Sequence, residues 1–281
     1  MRLADRLQSI DRRIIYLLLA AVIVGVLLRP IGLPIRISEE TQMVYQAIDL
    51  LKPGQVFVIS FDYGASNVPE LHPSAIAWLK HAFRKDVRVV CTALSLEGGM
   101  WAADALAVAL EKFPAKKYGV DYINIGYKPG GQVFLEKFAT NVHEACAGVD
   151  ARGISLDQYP IMKDVTKARD VSLAASLTSG DPGYNQWIAN FGTPNGVPVT
   201  AATIAIGVPV AISLVRSGHL KGILKGMRGG AEYELKINEK GAAVSGMDAQ
   251  SLGHLTIVVF VVVGNIGYFM SRRRLRGGNA S

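Results

Sequence analysis

Residues 55–64, QVFVISFDYG, do most to limit what this chain can become. The run is apolar and rich in β-branched residues. Pro53-Gly54 introduces it, and Asp62, Tyr63 and Gly64 close it. An apolar run of this length between turn signals reads as a strand buried on both faces, as in a parallel sheet.

The chain around it alternates in period. Residues 39–52 read as a helix with Met43, Val44, Ala47, Ile48 and Leu51 on one side. After the strand, Pro73 opens a helix through Arg84, since proline suits a first helical turn. Strands at 87–94 and 120–126 flank an Ala/Leu-rich helix at 100–113, and a further helix runs to about residue 147. Beyond it the pattern predicts a short strand at 153–156, a short helix at 161–167 and a strand at 171–177. Asp181-Pro182 reads as a cap and first-turn proline ahead of a helix at 184–191, with a turn at 192–196. Alternation at this spacing implies right-handed crossovers. The expected fold class is α/β: a doubly wound, mostly parallel sheet flanked by helices, with one transmembrane helix at each end.

Two segments carry the chain's excess hydrophobicity. Residues 14–28 (IIYLLLAAVIVGVLL) hold no charge, and 252–270 (LGHLTIVVFVVVGNIGYFM) hold no Asp, Glu, Lys or Arg. The second has the length of a membrane span, about 20 residues. The first reaches that length through 30–34, PIGLP. A cleaved signal peptide is the competing reading, but no small-x-small site follows residues 26–30. The net charge of +7 does not point to nucleic acid. Its whole excess lies in residues 1–34 and 253–281, while 35–252 balance 21 basic against 21 acidic residues. Basic ends beside apolar spans place both termini in the cytoplasm by the positive-inside rule.

The expected layout is therefore a cytoplasmic tail at 1–13, with Leu3, Leu7 and Ile10 at helical spacing, and a span at 14–34. An extracytoplasmic α/β domain follows at 35–250, then a span at 251–271 and a basic tail at 272–281. The expected compartment is a cell (inner) membrane, with the lipid bilayer as partner. Residues 196–215 are uncharged for 20 residues and could be a third span by length. Pro198, Gly207 and Pro209 interrupt them, so 199–206 read as a buried strand followed by a loop. Leu220, Ile223, Leu224 and Met227 then fall at helical spacing within 216–235, and 236–250 read as a linker.

Candidate site residues come from topology. In open parallel sheets the ligand crevice lies beyond the carboxyl ends of the strands. Asp62, Ser66, Asn67 and Glu70 follow the first strand, and Thr92 and Ser95 end the second. Tyr127 and Lys128 follow the third, and Ser179 and Asp181 a later one. Each of these residue types also serves as a cap or turn former. Residues 62–66, DYGAS, lack the middle Ser of a cation-holding Asp-x-Ser-x-Ser and the second carboxylate of an Asp-x-Asp phosphatase, because Gly64 stands at that position. Gly98-Gly99 and residues 129–131 (PGG) match neither GxGxxG nor a Walker loop and read as turns, so no cofactor is expected. GxSxG, HExxH and CxxC are absent, no catalytic residue or metal ligand is assigned, and Cys91 and Cys146 read as small apolar residues. In the second apolar segment Asn265, between Gly264 and Gly267, suggests helix packing with the first span or a second copy.

The expected function is a non-catalytic ligand- or partner-binding subunit of a membrane assembly. The alternatives are a membrane-surface hydrolase centred on Asp62 and a degenerate cation-dependent adhesion domain.

Overall fold

The structure, a computed structural model, describes residues 11–277, with side chains through Met270. The expected tail at 1–10 and the side chains of the basic tail lie outside the described residues. The chain divides into two compact units, residues 34–244 and the combination of 1–33 with 245–281.

In the larger unit, α2 (Glu39–Asp49) leads to β1 (Val56–Asp62), α3 (Val68–Arg84), β2 (Arg88–Ala93), α4 (Gly98–Lys112) and β3 (Tyr122–Tyr127). Then come α5 (Gln132–Thr140), α6 (Val142–Ala145), α7 (Pro160–Asp164), β4 (Leu173–Thr178) and α8 (Tyr184–Trp187). The series closes with β5 (Val199–Thr203), α9 (Val208–Arg216), β6 (Ile223–Lys225) and α10 (Gly226–Lys236). In the smaller unit α1 spans Arg12–Leu28, and α11 (Ala242–Gly277) runs into it.

The six strands form one all-parallel sheet in the order β3-β2-β1-β4-β5-β6. This is the doubly wound Rossmann order, with its switch point between β1 and β4. Strand β1 is buried along its whole length, as its unbroken apolar run requires. Its period-2 geometry sends Phe57, Ile59 and Phe61 into one layer and Val56 and Val58 into the other. The first layer packs under α2, α3, α4 and α10, the second under α5, α8 and α9. Cys91 belongs to the first layer and Cys146 to the second, and both are free thiols.

Several expectations change. Helix α3 opens at Val68 with Pro69 in its first turn, so Pro73 lies inside it. Residues 153–156 are one arm of a small hairpin, pinned by a Val149–Ser155 bridge, and no sheet strand. Asp181 does not cap α8: Gly183 stands at the cap, and Asp181 accepts a hydrogen bond from Gln186 Nε2 at 3.0 Å. The Asp181–Pro182 peptide is cis. Residues 196–215 cross no membrane, because β5 hydrogen-bonds to β4 and β6 on its two sides and α9 follows it. The helical spacing read at 216–235 conceals β6. The supposed linker at 236–250 already holds the start of α11.

The glycines separate by cause. Gly130 and Gly131 take positive φ, +104° and +46°, as turn residues do. Gly98 is required by proximity, since a Cβ there would overlap the Phe61 carbonyl oxygen.

Among the described residues one helix is long and apolar enough to cross a membrane, over Ala242–Met270. α1 is apolar but only 17 residues long. Within the smaller unit Gly253 faces Ile23 and Leu19, and the Gly32 and Leu33 amides donate to Asp248 at 2.6 and 2.9 Å. Gly264 faces open space, and Asn265 Nδ2 donates to Val261 O of its own helix at 2.9 Å.

Candidate functional site

Three carboxylates stand at the carboxyl ends of the strands, where a doubly wound fold ordinarily binds its ligand, and each is bonded by groups of the protein itself. Asp62 ends β1 at the switch point and is only 3% exposed. Its Oδ1 accepts from Ser60 Oγ at 2.6 Å and from the Leu94 amide at 2.8 Å, and its Oδ2 accepts from Ser176 Oγ at 2.7 Å. One side chain thus ties together β1, β4 and the segment leaving β2. Burial pushes its pKa up to about 6, against the pull of those hydrogen bonds.

Glu97 accepts from the Ala65 amide at 2.7 Å, with its carboxylate 3.4 Å from where a Cβ of Gly64 would lie. A bound phosphate would compete for the same amide. Glu70 does likewise after β5, where its Oε2 accepts from the Ala205 amide at 2.9 Å.

The expected site residues therefore separate. Thr92 donates to Gly126 O, and Ser95 donates to the Phe61 and Tyr63 carbonyls. Asn67 bonds Ser66 at 3.1 Å, and Ser179 N donates to Asp62 O. These groups tie loops to strand ends. Of the expected set, Tyr127 and Lys128 line an open cavity.

That cavity is a cleft of about 690 Å³ along the outer edge of β3. One wall is the face of α4 carrying Met100, Ala103, Leu106, Ala107 and Leu110, at helical spacing. The other wall is the turn Asp150–Ala151–Arg152, pinned to the strand by the Ala151 amide donating to Asn124 O at 3.0 Å.

The floor is preorganised. Asn124 donates to Gly99 O at 3.1 Å and accepts from the Gly126 amide at 2.9 Å, which joins α4 to β3. Asp150 Oδ2 accepts from the Tyr118 and Tyr159 hydroxyls, each at 2.7 Å. Its Oδ1 accepts from the Arg152 and Ile154 amides at 2.8 and 2.9 Å. Burial works to raise the Asp150 pKa. The bonds from Tyr118, the Ile154 amide, Tyr159 and the Arg152 amide outweigh it and hold the group below its ordinary value. Lys128 Nζ donates to Cys146 O and Val149 O at 3.1 and 3.3 Å. The Arg152 guanidinium stands 3.7 Å above the centre of the Tyr118 ring.

The sequence pointed to this cleft only through Tyr127 and Lys128 at the end of β3, and the α4 face and the Asp150–Arg152 turn were missed because they lie beside an edge strand rather than at a strand end. One signal was present. Residues 150–153, DARG, form an Asx-type turn that closes on Gly153 at φ +76°. The turn sets an arginine against an Ala-rich helix.

Another cavity, of about 380 Å³ and lined by Met43, Leu50, Leu51 and Pro198 among others, lies at the amino ends of the strands. Among the described residues no group of three or more His, Cys, Asp or Glu is placed to hold a metal ion. No protein-family model, curated protein or solved structure matches the chain.

Proposed function

We propose that the chain is a membrane-tethered binding protein whose ligand occupies the β3-edge cleft, as a non-catalytic subunit of a membrane assembly. The observation that carries this reading is the cleft itself. Its volume lies in the range of small-molecule sites, about 300–1,000 Å³, and it pairs an apolar wall with a few fixed polar groups.

The same geometry favours binding over catalysis. Asp150 accepts four hydrogen bonds and is held ionised, so it has little capacity left to take a proton. A hydrolase centred on Asp62 draws little support, since donors within the protein hold both of its oxygens. A cation on Asp62 would have to displace the same donors.

The two-span arrangement, with the domain outside and both termini inside, belongs to this proposal. Two neighbouring carboxylates of α10 support it. Glu232 accepts from Ser38 N, Ser38 Oγ and Thr41 Oγ1, holding the residues where the chain enters the domain. Glu234 accepts from the Gly241, Ala243 and Val244 amides, holding those where it leaves. Entry and exit thus meet on one helix, as a hairpin of two anchors requires. The open side at Gly264 and Asn265 is the surface offered for pairing with a second copy or another membrane protein.

Two measurements test the reading. A Ser66→Cys variant has little thiol background, because Cys91 and Cys146 are buried. A membrane-impermeant maleimide should label it in intact cells, and labelling only after lysis refutes the orientation. Ligand-observed NMR with a fragment set should find binders to the wild type that Ala107→Trp, which fills the cleft, abolishes. Binders indifferent to that substitution place the site elsewhere.

A further inference from the structure

We infer that the β3-edge cleft takes an amphipathic organic carboxylate, its anionic end on Arg152 and its apolar body along α4. This rests on the proposed binding role and adds the ligand's chemistry.

Three charged groups line the cleft, Lys128, Asp150 and Arg152, and they differ in what the protein already bonds to them. Asp150 spends its acceptor capacity on Tyr118, Tyr159 and two backbone amides. Lys128 directs its ammonium to two carbonyls of the protein. Among the described residues the Arg152 guanidinium makes neither a side-chain hydrogen bond nor an ion pair, and the Tyr118 ring holds it in place. A guanidinium presents its donors as a planar fork that matches the two oxygens of a carboxylate. Resting on an aromatic face, it has already given up part of its hydration and its freedom.

The opposite wall sets the rest of the ligand. Met100, Ala103, Ala107 and Leu110 form one helical stripe, with Leu106 behind it. From Met100 to Leu110 the stripe runs about 15 Å at 1.5 Å per residue. The alanines keep it shallow, so it offers length more than depth, and an extended apolar chain fits it. Met100 is 58% exposed and is the side chain such a body would cover.

The experiment uses the full chain in zwitterionic nanodiscs, labelled with ¹³C at the methionine methyls, with the Met100 methyl as reporter. The titrants are octanoate, hexanoate, hexanamide as a neutral counterpart, and inorganic phosphate as an anion with no apolar body. Octanoate and hexanoate should shift Met100 saturably, octanoate more tightly, with hexanamide and phosphate at least tenfold weaker. Arg152→Gln should weaken octanoate about tenfold or more, the usual scale for a lost charge-assisted pair. Arg152→Lys, which keeps the charge without the fork, should fall between. An unchanged melting temperature shows that each variant is folded. If hexanamide binds as well as hexanoate and Arg152→Gln changes nothing, the carboxylate inference is overturned while cleft binding stands. If phosphate binds as tightly as octanoate, the amphipathic inference is overturned. If the carboxylates bind the wild type and Ala107→Trp alike, both this inference and the cleft reading fail.

Discussion

Replacing Asp62 by asparagine should stabilise the protein near neutral pH, although the residue is buried and fully bonded. Its carboxyl titrates at about 6 in the fold against an ordinary 3.8. The sign follows from proton binding. Between those values the folded state holds a proton that the unfolded state has lost, so stability falls as pH rises through that window. At 1.36 kcal/mol per pKa unit the ionised carboxylate costs about 3 kcal/mol at pH 7.5. Asparagine avoids that cost and can keep the geometry. Its Oδ1 can accept from Ser60 and the Leu94 amide, and its Nδ2 can donate to Ser176 Oγ, which accepts as readily as it donates.

Thermal unfolding followed by tryptophan fluorescence reports the domain alone, because Trp78, Trp101 and Trp187 all lie within it. At about 2–4 °C per kcal/mol for a domain of this size, Asp62→Asn should melt roughly 6–12 °C higher at pH 7.5. The gain should shrink to about a fifth of that at pH 4 and vanish below the ordinary carboxyl pKa. A variant that melts lower at pH 7.5, or a difference that does not change with pH, refutes the reasoning.

His81 should act in the opposite sense. Burial lowers its pKa from 6.5 to about 4, with Tyr233 Oη 2.7 Å from Nδ1 and Asp49 Oδ1 3.5 Å from Nε2. The folded protein keeps it neutral, so its contribution is complete above pH 6.5 and is lost as pH falls toward 4, by about 3 kcal/mol. His81→Gln should remove that acid-induced loss, as melting temperatures between pH 7 and 4 will show. Glu234→Ala should leave the buried Ala243 and Val244 amides without their acceptor, at about 1–3 kcal/mol. Hydrogen exchange at those two amides should speed up while β1 stays protected, and unchanged exchange there refutes the clamp.

The central architecture was legible because it follows from local pattern. Residues 55–64 admit almost no reading except a strand buried on both sides, and β1 occupies the middle of the sheet. β6 was hidden for a physical reason. Three residues are too few to show a period, and Leu220, Ile223, Leu224 and Met227 happen to match a helical stripe. The 20 uncharged residues at 196–215 were ambiguous because lipid and a buried parallel strand reward the same composition. Only the ladders to β4 and β6 decide between them.

The candidate site was less legible. Asp62 could be placed at the switch point from sequence, but whether its oxygens face a ligand or Ser60, Ser176 and Leu94 depends on groups up to 114 residues away. The cleft joins α4, β3 and the Asp150–Arg152 turn, which no local spacing relates. By itself, then, the sequence determined the strand–helix alternation, the apolar C-terminal helix and the neutral domain, since each is a sum over neighbouring residues. The tertiary structure alone decided strand order, the pairing of Asp62, Glu70 and Glu97 with donors of the protein itself, and the position of the β3-edge cleft. Those depend on which distant groups meet, and hydrogen-bond satisfaction settles that only once the chain is packed.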